Sequence, residues 1–225
     1  MSRPFQVVVL LIFFSVLLFP VLADPQTEAH APAVLTFTSD FPASQPSHYS
    51  IRVQSDGVSR YHSVGRLSAD SDDPDTFDLD FGADRETREK IFELAAKAGY
   101  FQKDADSHHK HIAFTGKKTL TYQDAHRSGE SSYNYSTNLA VQELTSLMQS
   151  LSATLEDGHR LQYDLRYQKL ALDEELKHME DLARANQLVE ITAIQPILSQ
   201  IIADPSVINV TRARAQRLLE RAGAH

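Results

Sequence analysis

Apolar residues recur at every second position along the first half of the chain and at helical spacing along the second. The first pattern runs from Val34 to about Ser136, and the second takes over beyond Asn138. Strands followed by helices predict an α+β fold: a small antiparallel sheet of hairpins with one packed helix, then an α-helical C-terminal region. In "HYSIRVQSDGVSRYHSVG", Tyr49, Ile51 and Val53 alternate with polar residues. A two-residue Asp-Gly turn would set Ile51 opposite His62. A three-residue loop, Ser55-Asp56-Gly57, sets it opposite Tyr61 and gives Gly57 the left-handed position that glycine adopts at least cost. Side-chain pairing selects the longer loop.

"TFDLDF" puts Phe77, Leu79 and Phe81 on one face and Asp78 and Asp80 on the other. A helix follows, with Asp84 as N-cap and Glu86 in its first turn. Ile91, Leu94, Ala95 and Ala98 form its buried face, Gly99 ends it, and Tyr100 and Phe101 fold back on it. "HIAFTGKKTLTY" then predicts a second hairpin. A loop at Gly116-Lys117-Lys118 pairs Phe114 with Leu120 and Ile112 with Tyr122, which leaves His111 on the polar face. His109 joins it there if the strand reaches back that far. "SSYNYS" supplies a further strand carrying Tyr133 and Tyr135.

In the helical half, Leu139, Leu144, Leu147, Met148 and Leu151 form a first stripe. Asp157-Gly158 reads as a pause before a long charged helix, His159 to about Asn186. Its coiled-coil-like seam holds Leu165, Leu172 and Met179 at seven-residue spacing, and Asp173→Lys177 and Glu180→Arg184 are i,i+4 ion pairs. Such pairs add only tenths of a kcal/mol, so the seam needs a packing partner, expected in the two helices that follow. These run from about Glu190 to Ala203, with Pro196 near the start, and from about Ser206 to Ala222. The last shows Arg212, Arg214, Arg217 and Arg221, read as a solvated face.

The N-terminus adds a destination. Arg3 precedes an apolar run from Val7 to Phe19, and Val21-Leu22-Ala23 fits a signal-peptidase site. The run is short for a bilayer span, which takes roughly 20 apolar residues. Residues 1–23 are therefore expected to be a signal peptide, 24–33 a mobile leader, 34–156 the α+β domain and 157–225 a helical extension. The chain has no cysteine, which excludes disulfides and thiolate chemistry. An exported protein without disulfides fits a bacterial periplasmic or secreted setting best. Its formal net charge of −8 disfavours nucleic acid as a partner. No span is expected after signal cleavage, and the expected partner is a protein.

Three stretches carry residues suited to metal or nucleophilic chemistry. His109-x-His111, with His126 as a third ligand, would suit zinc, but no H-E-x-x-H accompanies them. Ser107-His-His-Lys110 matches an S-x-x-K, yet it precedes a strand and lacks the companion elements of penicillin-binding enzymes. The acidic loop at residues 70–80 has carboxylates for calcium without the glycine-centred loop of a dedicated site. No catalytic, cofactor-binding or metal-binding residue is assigned on these grounds.

The run of "SDGVSRY", "FDLDF", "AKAGYF" and "HIAFTGKKTLTY" resembles a group of secreted bacterial α+β domains of unknown function, over roughly Val34 to Glu156. The resemblance implies export and this fold, and it brings no catalytic residues. The expectation is a non-enzymatic binding or assembly module without cofactor. The alternative is a metal-assisted hydrolase using His109, His111 and His126.

Overall fold

The computed structural model describes residues 31–66 and 73–223. The expected signal peptide, most of the leader and the start of the acidic loop, residues 70–72, lie outside the described residues. Six strands are present among them: β1 (Val34–Asp40), β2 (His48–Gln54), β3 (Val58–Gly65), β4 (Asp75–Gly82), β5 (Lys117–Gln123) and β6 (Ser128–Tyr133). They form one antiparallel sheet in the order β4-β3-β2-β1-β5-β6. Five α-helices accompany them: α1 (Arg85–Lys97), α2 (Leu139–Tyr167), α3 (Leu172–Arg184), α4 (Gln195–Ala203) and α5 (Asn209–Ala222). The fold is α+β with a helical C-terminal region.

Alternation decides which face of the sheet is covered. Leu35, Phe37, Ile51, Val53, Tyr61 and Leu120 point inward and are fully buried. Their strand neighbours, among them Thr36, Ser50, Arg52, Arg60 and Thr121, lie on the opposite, polar face. The β2–β3 hairpin has the expected register, with Ile51 opposite Tyr61 and Gly57 at φ 101°. At this φ any side chain on residue 57 would be strained, which is why glycine stands there.

α2 lies across the buried face and is bonded to it along its length. Near its start, Thr145 Oγ1 and the Tyr133 hydroxyl are 2.5 Å apart. Further along, Glu156 Oε1 accepts hydrogen bonds from Tyr61 (2.7 Å) and Ser63 (2.6 Å). Beyond that, His159 Nε2 meets Asp75 Oδ2 at 2.7 Å, and its ring stacks on Phe77 with centroids 4.1 Å apart. Burial and the neighbouring Glu156 hold the Tyr61 hydroxyl far above its ordinary pKa, so it remains a donor. α1 packs beside α2, with Lys90 Nζ 2.6 Å from Glu143.

The C-terminal helices close over α2 and cover the expected seam. Leu161, Leu172, Leu176 and Met179 are fully buried, as are Leu198 and Ile201. The segment before α4 crosses α2 closely. Val189 N–H donates to Thr154 Oγ1 at 3.3 Å, and Ile194 packs onto Gly158. Glu190 sits in the same segment at φ 57° and is buried. Its Oε1 accepts the backbone N–H of Asp84 at 2.6 Å, and Thr192 Oγ1 donates to Asp84 Oδ2 at 2.9 Å. The left-handed backbone at Glu190 is thus offset by a bond that caps α1 from more than a hundred residues away.

Four expectations are corrected. No strand forms at 111–115. A strand has two hydrogen-bonding edges, and β1 and β6 take both edges of β5. Ile112 and Phe114 stay exposed, Phe114 resting edge-on against Phe41, and His111 has φ 71° in an irregular segment. β6 also ends at Tyr133, which leaves Tyr135 exposed beyond it. Second, α2 continues through Asp157-Gly158, and the interruption falls after Tyr167 instead. Both residues are buried against other elements, and that packing outweighs glycine's weak helix propensity. Third, the arginine row is not all solvated. Arg214 and Arg217 grip the buried Glu180 of α3 at 2.5 and 2.7 Å. Burial alone would raise the Glu180 pKa, but bonds from Arg217 and Arg214 prevail and hold it low. Fourth, Asp173 pairs with Arg214 at 2.9 Å rather than with Lys177.

Gly158 separates propensity from packing. Alanine is worth about 1 kcal/mol over glycine inside a helix. A Cβ at 158 would overlap Ile194 Cγ2 and stand 3.1 Å from its Cβ. Gly158→Ala is therefore expected to destabilise the protein, by about 1–3 kcal/mol. Urea unfolding checks this, and a stabilised variant would contradict the packing.

Candidate functional site

A cleft of about 370 Å³ opens where α2 and α3 meet the β1–β2 connection. Residues 41–47 form one wall. Phe41 N–H donates to Ser47 O at 2.8 Å, and Ser44 Oγ donates to the carbonyls of Phe41 and Pro46. The Gln45–Pro46 peptide in this wall is cis. The floor comes from Ser39, Tyr49, Ser152 and Asp157, all buried. The rim carries Phe41, Gln149, Ala153, His178 and Leu182, all partly or fully exposed. Most of the floor is polar, and the rim is partly apolar.

Asp157 is the unusual member. Its side chain is 3% exposed. Oδ1 accepts from Arg160 Nη2, and Oδ2 has no hydrogen-bond partner. A buried, half-satisfied carboxylate is costly, so such groups are rare without cause. Burial drives its pKa up to about 6, against the opposing pull of Arg160, and the charges of Glu175 and Glu156 add to the rise. Arg160 is shared: its Nε donates to Glu175 Oε1 at 2.9 Å. The nearby Glu156 has Oε1 committed to Tyr61 and Ser63.

A second buried charge stands behind Thr115, which also lines the cleft. Lys118 is 5% exposed. Its three N–H donors are shared among four oxygens: Thr115 O, Thr115 Oγ1 and Asn134 O at 3.1 Å each, and Gly116 O at 3.3 Å. Burial lowers its pKa.

The histidines singled out in the sequence lie elsewhere. Residues 104–107 run alongside β6, tied by Ala105 N–H to Ser131 Oγ and Ser107 N–H to Tyr135 O, both at 2.8 Å. His109 and His111 follow and are exposed, near the Lys117 end of β5. His126 is in the β5–β6 turn, at the Gln123 end, where its N–H donates to Asp124. A seven-residue strand lies between, about 20 Å long. Among the described residues no group of three or more His, Cys, Asp or Glu side chains is placed to hold a metal ion. His108, not singled out, pairs with Asp104 at 2.6 Å, and this bond raises its pKa. Ser107 and Lys110 lie in the irregular segment 102–116, and Asp75 starts β4 and bonds His159. No described helix is long and apolar enough to cross a membrane.

Sequence reasoning missed Asp157, Arg160 and His178 as a group. One signal was present. Asp157 falls three residues after Thr154 and four before Leu161, on the core-facing side of α2, where a carboxylate is out of place.

No family model matches the chain, and a search of curated proteins finds no significant match.

The raised pKa of Asp157 has a stability consequence. Between its ordinary value of 3.8 and about 6, the folded protein holds a proton that the unfolded chain has released. This residue therefore weakens the fold above about pH 6, and the loss is relieved as the pH falls toward 4. Asp157→Asn keeps the shape and removes the titration. From pH 7 to pH 4, wild type is expected to gain about 2–3 kcal/mol relative to this variant, at about 1.4 kcal/mol per pKa unit. Urea midpoints at each pH measure it, and a pH-independent difference would contradict the burial.

Proposed function

We propose that the protein is an exported, non-enzymatic binding module whose ligand seat is the cleft floored by Asp157. The observation that carries this reading is the unpartnered Oδ2 of a buried carboxylate in the wall of a preformed cleft. A group left unsatisfied in the empty protein is one that a ligand can satisfy. The cleft's volume falls in the range of small-ligand sites. Its lining is more polar than is usual for them, with Phe41, Ala153 and Leu182 supplying the apolar part of the rim. Export is supported by the leader pattern of residues 1–23. A protein partner is compatible with the same seat, through one inserted side chain.

The competing reading is a metal-assisted hydrolase using His109, His111 and His126. It would require side chains from the two ends of β5 to converge. Elemental analysis of protein purified without a histidine tag separates the two, because the binding module is expected to carry no stoichiometric metal.

Ala153 is exposed at the rim, so a large side chain there should obstruct entry without disturbing the core. Ligand-observed NMR with a library of small polar molecules is expected to give hits that Ala153→Trp abolishes. The same hits should survive His109→Ala combined with His111→Ala. Hits that ignore Ala153→Trp would place binding elsewhere and defeat the proposal.

A further inference from the structure

The charges around the cleft say which chemical group belongs in it. Three carboxylates, Glu156, Asp157 and Glu175, surround one guanidinium, Arg160. Arg160 is already committed to Asp157 and Glu175, and Lys118 is committed to four oxygens on its own side of Thr115. With either cation counted, the formal balance stays negative while His178 is neutral. An anionic ligand would meet repulsion and no uncommitted cation among these groups. A neutral alcohol would satisfy Oδ2 but leave the excess charge in place. A cation does both.

The geometry narrows the cation. Only one oxygen of Asp157 lacks a hydrogen-bond partner, so the paired bonds of a guanidinium fork have no matching acceptor pair there. A compact ammonium, with three donors, matches a single unpaired carboxylate oxygen at the bottom of the cleft. The hydroxyls of Ser39, Tyr49 and Ser152 share the buried floor as further acceptors. An alkyl stem leading to that head would pass Phe41, Ala153 and Leu182 at the rim.

Resting on the reading of this cleft as the ligand seat, we infer that the group it recognises is a primary alkylammonium, carried by a free amine or by a lysyl side chain of a partner. Asp157 must be ionised to bind it. The groups facing Asp157 are Glu156 and Arg160 from α2, and Glu175 and His178 from α3. Acidification protonates Asp157 and weakens the site.

The test is calorimetric titration of the full mature chain with butylammonium, butan-1-ol, butyrate and glucose. Two short blocked peptides, acetyl-Gly-Lys-Gly-amide and its norleucine counterpart, complete the set. Butylammonium is expected to bind one site, to lose about tenfold or more in affinity in Asp157→Asn, and to weaken about tenfold per pH unit below pH 6. Ala153→Trp, which leaves the floor intact, should abolish it. If the lysyl peptide binds and the norleucine peptide does not, a partner's lysine is a sufficient source. If only the free amine binds, the source is a small molecule. Butanol or glucose binding as well as butylammonium, blocked by Ala153→Trp but unaffected by Asp157→Asn, would overturn the ammonium and leave the cleft as a binding site. No binding of butylammonium or of the lysyl peptide at millimolar concentration would overturn the inference outright.

Discussion

The contact between Ile194 and the backbone of α2 at Gly158 sets the geometry on which the rest of the molecule depends. Only a residue without Cβ lets the crossing segment approach this closely. The approach brings Val189 within reach of Thr154 one turn earlier, and it carries Glu190 to the first N–H of the α1 cap. α2 is therefore held from both sides. The sheet grips it through Tyr61, Ser63 and Tyr133, and the C-terminal helices grip it through Ile194 and the Arg160–Glu175 bond. A helix fixed in this way cannot rotate to bring Asp157 into water. The burial of that carboxylate follows from the packing of its neighbour.

This arrangement places a destabilising group beside a stabilising one. Gly158 permits a well-filled contact, while Asp157 loses solvent and keeps only one of its oxygens bonded. Glu180 is treated differently, accepting from both Arg214 and Arg217. Glu190 has one oxygen capping α1 and, like that of Asp157, its other oxygen has no partner; what it lacks is the cluster of neighbouring carboxylates. Asp157 has less compensation, faces a cleft, and is surrounded by excess negative charge. Strain of this kind, set in a preformed cavity, is the physical basis of the binding proposal.

Much of the fold was legible because local pattern and tertiary structure agree. Ile51 and Tyr61 fixed the register of the first hairpin, and the alternation of Phe77, Leu79 and Phe81 gave β4 its buried face. Asp84 and Gly99 marked the limits of α1. Where the sequence misled, a partner distant in the chain decided the outcome. Ile112 and Phe114 alternate like a strand, but no free edge of β5 remains for them. Asp157-Gly158 has the composition of a helix stop, and Ile194 makes it a packing site. The arginines of α5 look solvated until Glu180 and Asp173, over thirty residues upstream, come opposite them. The candidate site was least legible for the same reason. Its walls come from residues 39–49, 115, 149–160 and 178–182, and only the fold brings these together.

The central claim is that a buried, half-satisfied carboxylate floors a ligand cleft. Carbon-13 NMR of the Asp157 side-chain carboxyl, followed through a pH titration of the folded protein, tests it most directly. The account predicts a midpoint near 6 and a fall in that midpoint when an alkylammonium probe is added. A midpoint in the ordinary aspartate range, close to 3.8, would show Asp157 to be solvated or fully paired and would contradict the account.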